Sequence, residues 1–327
     1  MYKFFVLILA FLFILSCKKT ESDYAYDDIN FKEEMRNFVI DISAYAKAEK
    51  SGFFIIPQNA VELITTDASV SGSIHQAYVN AIDGQAQEGL FYGYTEDNEP
   101  TPLQTTEYLK LFLDKALQAG KQILVTDYCT SPNNITDSFQ KNETAGYINF
   151  VATSRELDVI PAIPVYHENQ LQINQLQQAQ NFLYLLNMHN FPDKQAYIQA
   201  VTDTNYDLLI TDLFFWDGTS FTAQEIQALK HKANGGTRLL IAYLSIGEAE
   251  DYRYYWQSQW NNEKPIWLEQ ENPDWPGNYI VKYWEDDWQK IIYGNNQSYL
   301  KKIINAGFDG AYLDIVDAFE YFEDRYN

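Results

Sequence analysis

The sequence predicts an α/β fold: a single TIM (β/α)8 barrel of parallel strands, with an aromatic-rich insertion before the last strand. Three observations lead there. Leu208–Leu213, Leu239–Ala242 and Phe308–Asp317 contain the continuous apolar runs of parallel strands covered on both faces, and each run leads into acidic residues. Strand-like and helix-like stretches alternate along the chain, as in a ring of strand–helix units. At 327 residues and 46% hydrophobic, the chain is long enough for one such core, which uses about 250 residues.

Taken in order, Met1–Ser16 is a short apolar run whose one charge is Lys3. It is too short to span a bilayer comfortably and reads as a secretory signal, the rival being an uncleaved N-terminal anchor. It ends Ile14-Leu15-Ser16-Cys17, which resembles the lipobox of bacterial lipoproteins, whose cysteine becomes the acylated first residue. That resemblance implies a lipidated Cys17, a polar tether over 17–36, and a cell-envelope location, exported and held to the membrane by lipid alone. Cys129 is then left without a disulfide partner, so the barrel domain, 37–327, depends on its core.

Asn37–Ser43 and Phe53–Asn59 read as the first two strands, ending near Asp41 and at Gln58-Asn59, with a short helix over Ala44–Lys50 between them. Gly89–Tyr94 is the third strand. Thr105–Gln118, apolar at Leu109, Phe112, Leu113 and Leu117, is an amphipathic helix closed by Gly120. Gln122–Tyr128 is the fourth strand and carries Asp127 at its carboxyl end. Tyr147–Val151 and Val159–Pro164 compete for the fifth, the second being favoured. The Gln-rich stretch that follows reads as a helix, because Leu176, Ala179, Phe182, Leu183 and Leu186 recur at helical spacing. Leu208–Leu213 delivers Asp212. A helix over Thr222–Lys232 has Thr222 as its cap and Glu225 three residues on. Leu239 opens the seventh strand, Gln297–Ala306 is the last helix, and Phe308–Asp317 is the eighth strand, delivering Asp314 and Asp317.

Between the last two strands, Tyr252–Trp288 holds six of the seven tryptophans. A 37-residue excursion needs a small core of its own, so most of these rings should pack and two or three should line a groove. Exposed Trp and Tyr beside carboxylates suit sugar rings, whose C–H faces lie on aromatic faces while their hydroxyls meet the acids.

Charge excludes one class of partner. The formal net charge is −22, and −23 once Met1–Ser16 is removed, which argues against nucleic acid. The four His residues fall in no ligand spacing and no Gly-rich phosphate loop follows a strand, so neither metal nor cofactor is indicated. Ser245 lacks the flanking glycine of a nucleophile elbow.

What remains is acid delivered to one rim. Asp212, Glu248 and Asp314 come from three strand ends, and carboxylates there either face one another across a polar site or pair with a cation such as Arg253. A solvated loop with a local Glu–Arg pair is the bland alternative for any one of these clusters. Two carboxyls in divergent environments, one protonated and one ionised, are the equipment of a glycosidase.

Three motifs extend this reading: Y-L-S-I-G-E-A-E-D-Y-R-Y-Y-W from Tyr243, W-P-G-N-Y-I-V-K-Y-W from Trp275, and G-F-D-G-A-Y-L-D-I-V-D-A from Gly307. They resemble the bacterial and archaeal branch of glycoside hydrolase family 114, a TIM-barrel family typified by endo-α-1,4-polygalactosaminidase. The resemblance implies a hydrolase of α-1,4-linked galactosamine polymers, which are cationic when deacetylated and would give the acidic surface a use; the chain is expected to be a monomer. It also implies a circularly permuted barrel, because the segment resembling Asn37–Pro164 follows the F-D-G strand in the family's order and precedes everything here. Fungal members read G-F-D-G-V-E-P-D-N, with a Glu proposed as catalytic where this sequence has Tyr312. Asp212 matches the other proposed carboxylate. The expected catalytic set is therefore Asp212 with Asp314 or Glu248. Asp41, Gln58, Asn59, Asp127, Tyr128, Tyr243, Glu250, Arg253, Tyr312 and Asp317 are expected to contact substrate.

Overall fold

The computed structural model describes Tyr26 and residues 28–326. Cys17, the signal segment and most of the tether lie outside them. The first ordered element corrects the sequence reading. Helix α1 covers Phe31–Glu49, where Asn37–Ser43 suggested a strand. Its Val and Ile residues favour extended structure, but Phe31, Met35, Phe38, Val39, Ile42 and Ala46 are spaced three or four apart on one buried face. Asn30 caps it by accepting the Glu33 amide at 3.0 Å. The folded region thus begins before residue 37.

Strand β1 (Phe54–Pro57) is followed by helix α2 (Gln76–Ala81) and strand β2 (Gly84–Glu88). The third strand was expected at Gly89–Tyr94, which is instead a loop with Gly89 and Gly93 at positive φ. β2 itself reads G-Q-A-Q-E. Its buried glutamines spend their amide N–H groups internally: the Gln85 amide donates to the Pro57, Asn59 and Ala86 carbonyls, and Gln87 donates to Asn59 Oδ1 at 3.1 Å.

Helix α3 (Leu103–Gln118), strand β3 (Gln122–Tyr128), helix α4 (Pro132–Ala145) and strand β4 (Ile148–Ala152) follow. β4 is the disfavoured of the two candidates. Val159–Pro164 carries Pro161 and Pro164, which have no amide hydrogen for a ladder, and it is irregular. The Gln-rich stretch is not a helix either. It makes a single 3-10 turn at Leu176–Gln178 and then the short strand β5 (Leu183–Tyr184), with Asn181 bound through its side chain to the Asp207 amide and the His167 carbonyl.

Helix α5 (Lys194–Thr202), strand β6 (Leu208–Thr211), helix α6 (Ala223–Leu229) and strand β7 (Leu239–Ser245) agree with the pattern. Thr222 and Glu225 close a reciprocal capping box on α6. The insertion forms a three-stranded antiparallel sheet of β8 (Glu248–Glu250), β9 (Leu268–Glu271) and β10 (Asn278–Val281), in the order β8-β10-β9. Trp256, Trp260, Trp267 and Trp288 pack in succession beneath it, with ring centroids 5.0–5.3 Å apart. Helices α7 (Asp286–Ile292) and α8 (Tyr299–Ala306), strand β11 (Gly310–Asp314) and helix α9 (Phe319–Tyr326) complete the described chain.

The core is two parallel sheets, ordered β1-β11-β7-β6-β5 and β2-β3-β4. A parallel bridge between Gln58 and Ala86 joins them at the β1–β2 seam. Among the described residues no ladder pairs β4 with β5; there Phe150 of β4 packs on Phe182, beside β5, at 5.7 Å. Through that bridge the parallel strands follow in the order β5-β6-β7-β11-β1-β2-β3-β4, and their carboxyl ends lie on one rim.

Candidate active site

A cavity of about 790 Å³ opens at that rim. β1 contributes Gln58 and Asn59, β2 Glu88 and β3 Tyr128. From the second half of the chain come Asp212 after β6, Tyr243 on β7, Glu248 and Glu250 on β8, and Asp314 and Asp317 at the end of β11. Backbone strain gathers at the same place: Asn59, Ala60 and Ile315 all have φ between 47° and 57°, in the left-handed region that side chains other than glycine seldom adopt. Asn59 and Ile315 adjoin or carry groups that line the cavity.

Each carboxylate is held differently. Asp212 is buried and accepts Arg253 Nη1 at 2.6 Å, with the Phe214 amide at 2.7 Å on its other oxygen. Burial raises its pKa, and the Arg253 charge opposes the rise. Arg253 also binds Glu250 through Nε at 2.6 Å and Nη2 at 3.0 Å, and the Tyr252 hydroxyl reaches the same carboxylate at 2.5 Å. One guanidinium therefore serves two acids. Glu248 and Glu250 are two residues apart on β8 and so face the same side, with Ala249 buried behind them. Glu248 takes amide N–H groups from Asn272 at 2.7 Å and Asn278 at 3.2 Å, both supplied by the insertion. Burial raises its pKa and these amides hold it down.

Asp314 accepts the Tyr243 hydroxyl at 2.7 Å and the Ile315 amide at 2.8 Å. Burial raises its pKa also. Its negative charge acts on two neighbours. Burial first, and the Asp314 charge second, push both Glu88 and Asp317 up to about 7. Glu88 receives the Tyr128 hydroxyl, and Asp317 is reached by the Asn59 side-chain amide at 3.4 Å. The cavity thus holds two acids ion-paired with one arginine and two, Glu88 and Asp317, raised to about 7, environments unlike enough for acid–base chemistry.

The mouth is aromatic. Trp216 is 49% and Trp275 51% exposed, and Tyr252 and Tyr254 are exposed beside them. The insertion therefore supplies a few groove aromatics while its other tryptophans pack.

Three expected contact residues lie elsewhere. Asp41 is on the exposed face of α1, because its segment is helical. Asp127 is fully buried and structural: Oδ1 accepts the Phe91 and Tyr92 amides, and Oδ2 accepts Ser138 at 2.7 Å and Asn142 at 3.1 Å, tying the loop after β2 to α4. Tyr312 packs against Tyr184 at 5.2 Å, 1% exposed, and does not line the cavity. Glu88 and Glu156 are the cavity acids that sequence reasoning missed, Glu88 because its strand looks polar. Gln85 and Gln87 alternating with Ala86 were the available signal. Among the described residues no cluster of His, Cys, Asp and Glu is arranged to hold a metal ion, and no helix is long and apolar enough to cross a membrane.

Parallel strands ending at a cavity of unlike carboxyls, rimmed by half-exposed aromatics, define the class as an α/β protein with an acidic cavity at the carboxyl ends of its strands. Residues 165–326 match the model of glycoside-hydrolase family GH114, and through this segment the chain belongs to that family. An uncharacterized protein of Methanocaldococcus jannaschii is 43% identical over 161 residues, 48% of this chain and 42% of its own length. Uncharacterized proteins of Deinococcus radiodurans and Thermotoga maritima are 44% identical over 131 residues and 39% over 121. The matches cover 40% and 37% of this chain, and 40% and 36% of those relatives. In each case less than half of the relative's length is spanned. The matched segment carries β5 through β11, and with them every carboxylate of the cavity except Glu88 and Glu156.

Proposed function

We propose that the protein is a glycoside hydrolase that opens an amino-sugar polysaccharide of the α-1,4-linked polygalactosamine kind, using a carboxyl pair of this cavity. The observation that carries the proposal is the contrast within one cavity between Asp212, held against Arg253 at 2.6 Å, and two carboxyls, Glu88 and Asp317, raised to about 7. Asp212, ion-paired with Arg253, is the first essential carboxylate; Asp314 and Glu248 are the other family-segment candidates. Negative charge exceeds positive in the cavity, which suits a substrate bearing ammonium groups, and Trp216 and Trp275 offer faces for its sugar rings. Asp212→Asn should lower kcat on de-N-acetylated galactosaminogalactan at least about a hundredfold while the protein stays folded. New reducing ends formed equally fast by variant and wild type would move the site away from Asp212.

A second reading, glycan binding without cleavage, is favoured by one observation: the position that aligns with a proposed catalytic Glu in fungal members is the buried Tyr312. Measurable binding of the polymer with no reducing ends under any condition would establish it. The proposal extends to the chain outside the described residues, with Cys17 acylated and holding the domain at the cell envelope. Fatty-acid label appearing equally in Cys17→Ser and wild type would remove that part.

A further inference from the structure

We infer that Glu88, contributed by the half of the chain that precedes the family-matched segment, is the proton donor of the site and works across the cavity from Asp212. The inference rests on the hydrolytic reading above. Four observations carry it. Glu88 ends β2, and Asp212 follows the end of β6; in the strand order β1, β11 and β7 lie between these two strands. The two acids therefore come from well-separated strands, and both side chains line the same cavity.

The backbone of Glu88 is fixed, since its amide donates to Asn59 Oδ1 at 3.2 Å, and Asn59 itself sits in a left-handed conformation. Its carboxyl is oriented as well, by the Tyr128 hydroxyl on one side and Gln58 on another. Tyr128 is in turn overlaid by the Arg155 guanidinium, 4.0 Å from the ring centre. A carboxyl with a fixed backbone and an oriented head is built for placement rather than for bulk solvation.

The charged neighbours leave its proton in place. Asp314 on β11 presents a negative charge, and Arg155 lies behind Tyr128; Tyr312 on β11 and Tyr184 on β5 are buried phenols facing the same group. Among the acids in contact with a cation, Asp212 and Glu250 share Arg253. With burial and Asp314 both disfavouring its anion, Glu88 is raised to about 7.

In the step this implies, the Glu88 carboxyl transfers its proton to the glycosidic oxygen as the bond from that oxygen to the anomeric carbon breaks. The bonding pair leaves with the oxygen, which departs as a neutral alcohol. Water adds its oxygen to the anomeric carbon and gives its proton to an ionised carboxylate of the cavity, which releases it to solvent as solvent returns one proton to Glu88. One water is consumed and two sugar ends are released.

The test uses the full chain, de-N-acetylated galactosaminogalactan, and an aryl galactosaminide whose phenolate departs without a proton. Glu88→Gln should lose at least about a hundredfold in kcat on the polymer, keep KM within a few fold, and lose the fall in rate as pH rises through about 7. On the aryl glycoside it should stay within about tenfold of wild type, a rescue that a merely structural role would not produce. Polymer cleavage within about tenfold of wild type, an equal loss on both substrates, or disappearance of the alkaline limb in Asp317→Asn rather than in Glu88→Gln overturns the assignment and leaves the hydrolase standing. No cleavage by the wild type removes both.

Discussion

Arg253 decides how the residues of this site divide their charges. It is 8% exposed and touches Asp212 and Glu250 at 2.6 Å each, with the Tyr252 and Tyr299 rings 5.1 and 5.5 Å away. Arg253→Met keeps the aliphatic volume and removes the cation, leaving two buried carboxylates facing each other. Removing one partner from a buried ion pair costs about 3–5 kcal/mol. The sign with pH follows from Asp212, whose pKa burial already raises and Arg253 opposes. Without that opposition the folded state binds more protons than the unfolded one between the ordinary aspartate range and the raised value. Stability is then retained in acid and falls as pH rises through that window. Urea midpoints should separate from wild type widely at pH 8 and much less at pH 5; equal midpoints at pH 8 would mean the guanidinium does not neutralise these acids. At this scale the sequence was legible where a motif was dense. Glu248, Glu250 and Arg253 crowd into six residues after an obvious strand, and all three line the cavity. Asp127 was misread because a carboxylate at a strand end looks the same whether it faces a ligand or two backbone amides.

At the scale of elements, β6, β7 and β11 were readable from their apolar runs, and in the first half β1 and β3 were read as strands too, while β2, β5 and α1 were missed. β2 is buried with glutamine side chains that bond to neighbouring carbonyls, and such bonding depends on Pro57 and Asn59, about thirty residues away in the chain. α1 carries a short Val-Ile-Asp-Ile segment that favours a strand locally, and only the longer three-and-four spacing over Phe31–Ala46 identifies the helix. Where two loops meet, the sequence did signal a constraint, in the glycine of S-I-G-E. A Cβ on Gly247 would lie 2.1 Å from the Ile315 carbonyl oxygen and 2.6 Å from Ala318 Cβ. The turn after β7 thus touches the turn after β11 that orients Asp314. Gly247→Ala must push these backbones apart, at about 1–3 kcal/mol for an overpacked contact. Its melting temperature should drop by a few degrees and its kcat should fall, through displacement of Asp314 and Glu248 together. A variant as stable and active as wild type would show that the two turns are not rigidly coupled.

For the whole molecule, the two halves meet along the β1–β11 ladder, so the cavity lies between a family-matched wall and a wall the match does not reach. Both walls are acidic, within a chain of net charge −22. A long polycation approaching the rim feels the summed field before any hydrogen bond forms, and that attraction is screened as the Debye length shrinks from about 10 Å at 0.1 M salt to about 3 Å at 1 M. The Asp212–Arg253 contact and the carboxyls beneath the rim are buried and are screened far less. Binding of a de-N-acetylated polymer should therefore weaken with salt while the chemical step holds: KM should rise severalfold between 0.1 and 1 M sodium chloride with kcat changed less than about twofold. The fully N-acetylated polymer, which carries no ammonium groups, should bind with little dependence on salt. If both polymers respond alike, the surface charge serves solubility and the amino groups are not what the cavity recognises; if kcat rather than KM collapses, the screened charges belong to the reacting carboxyls themselves.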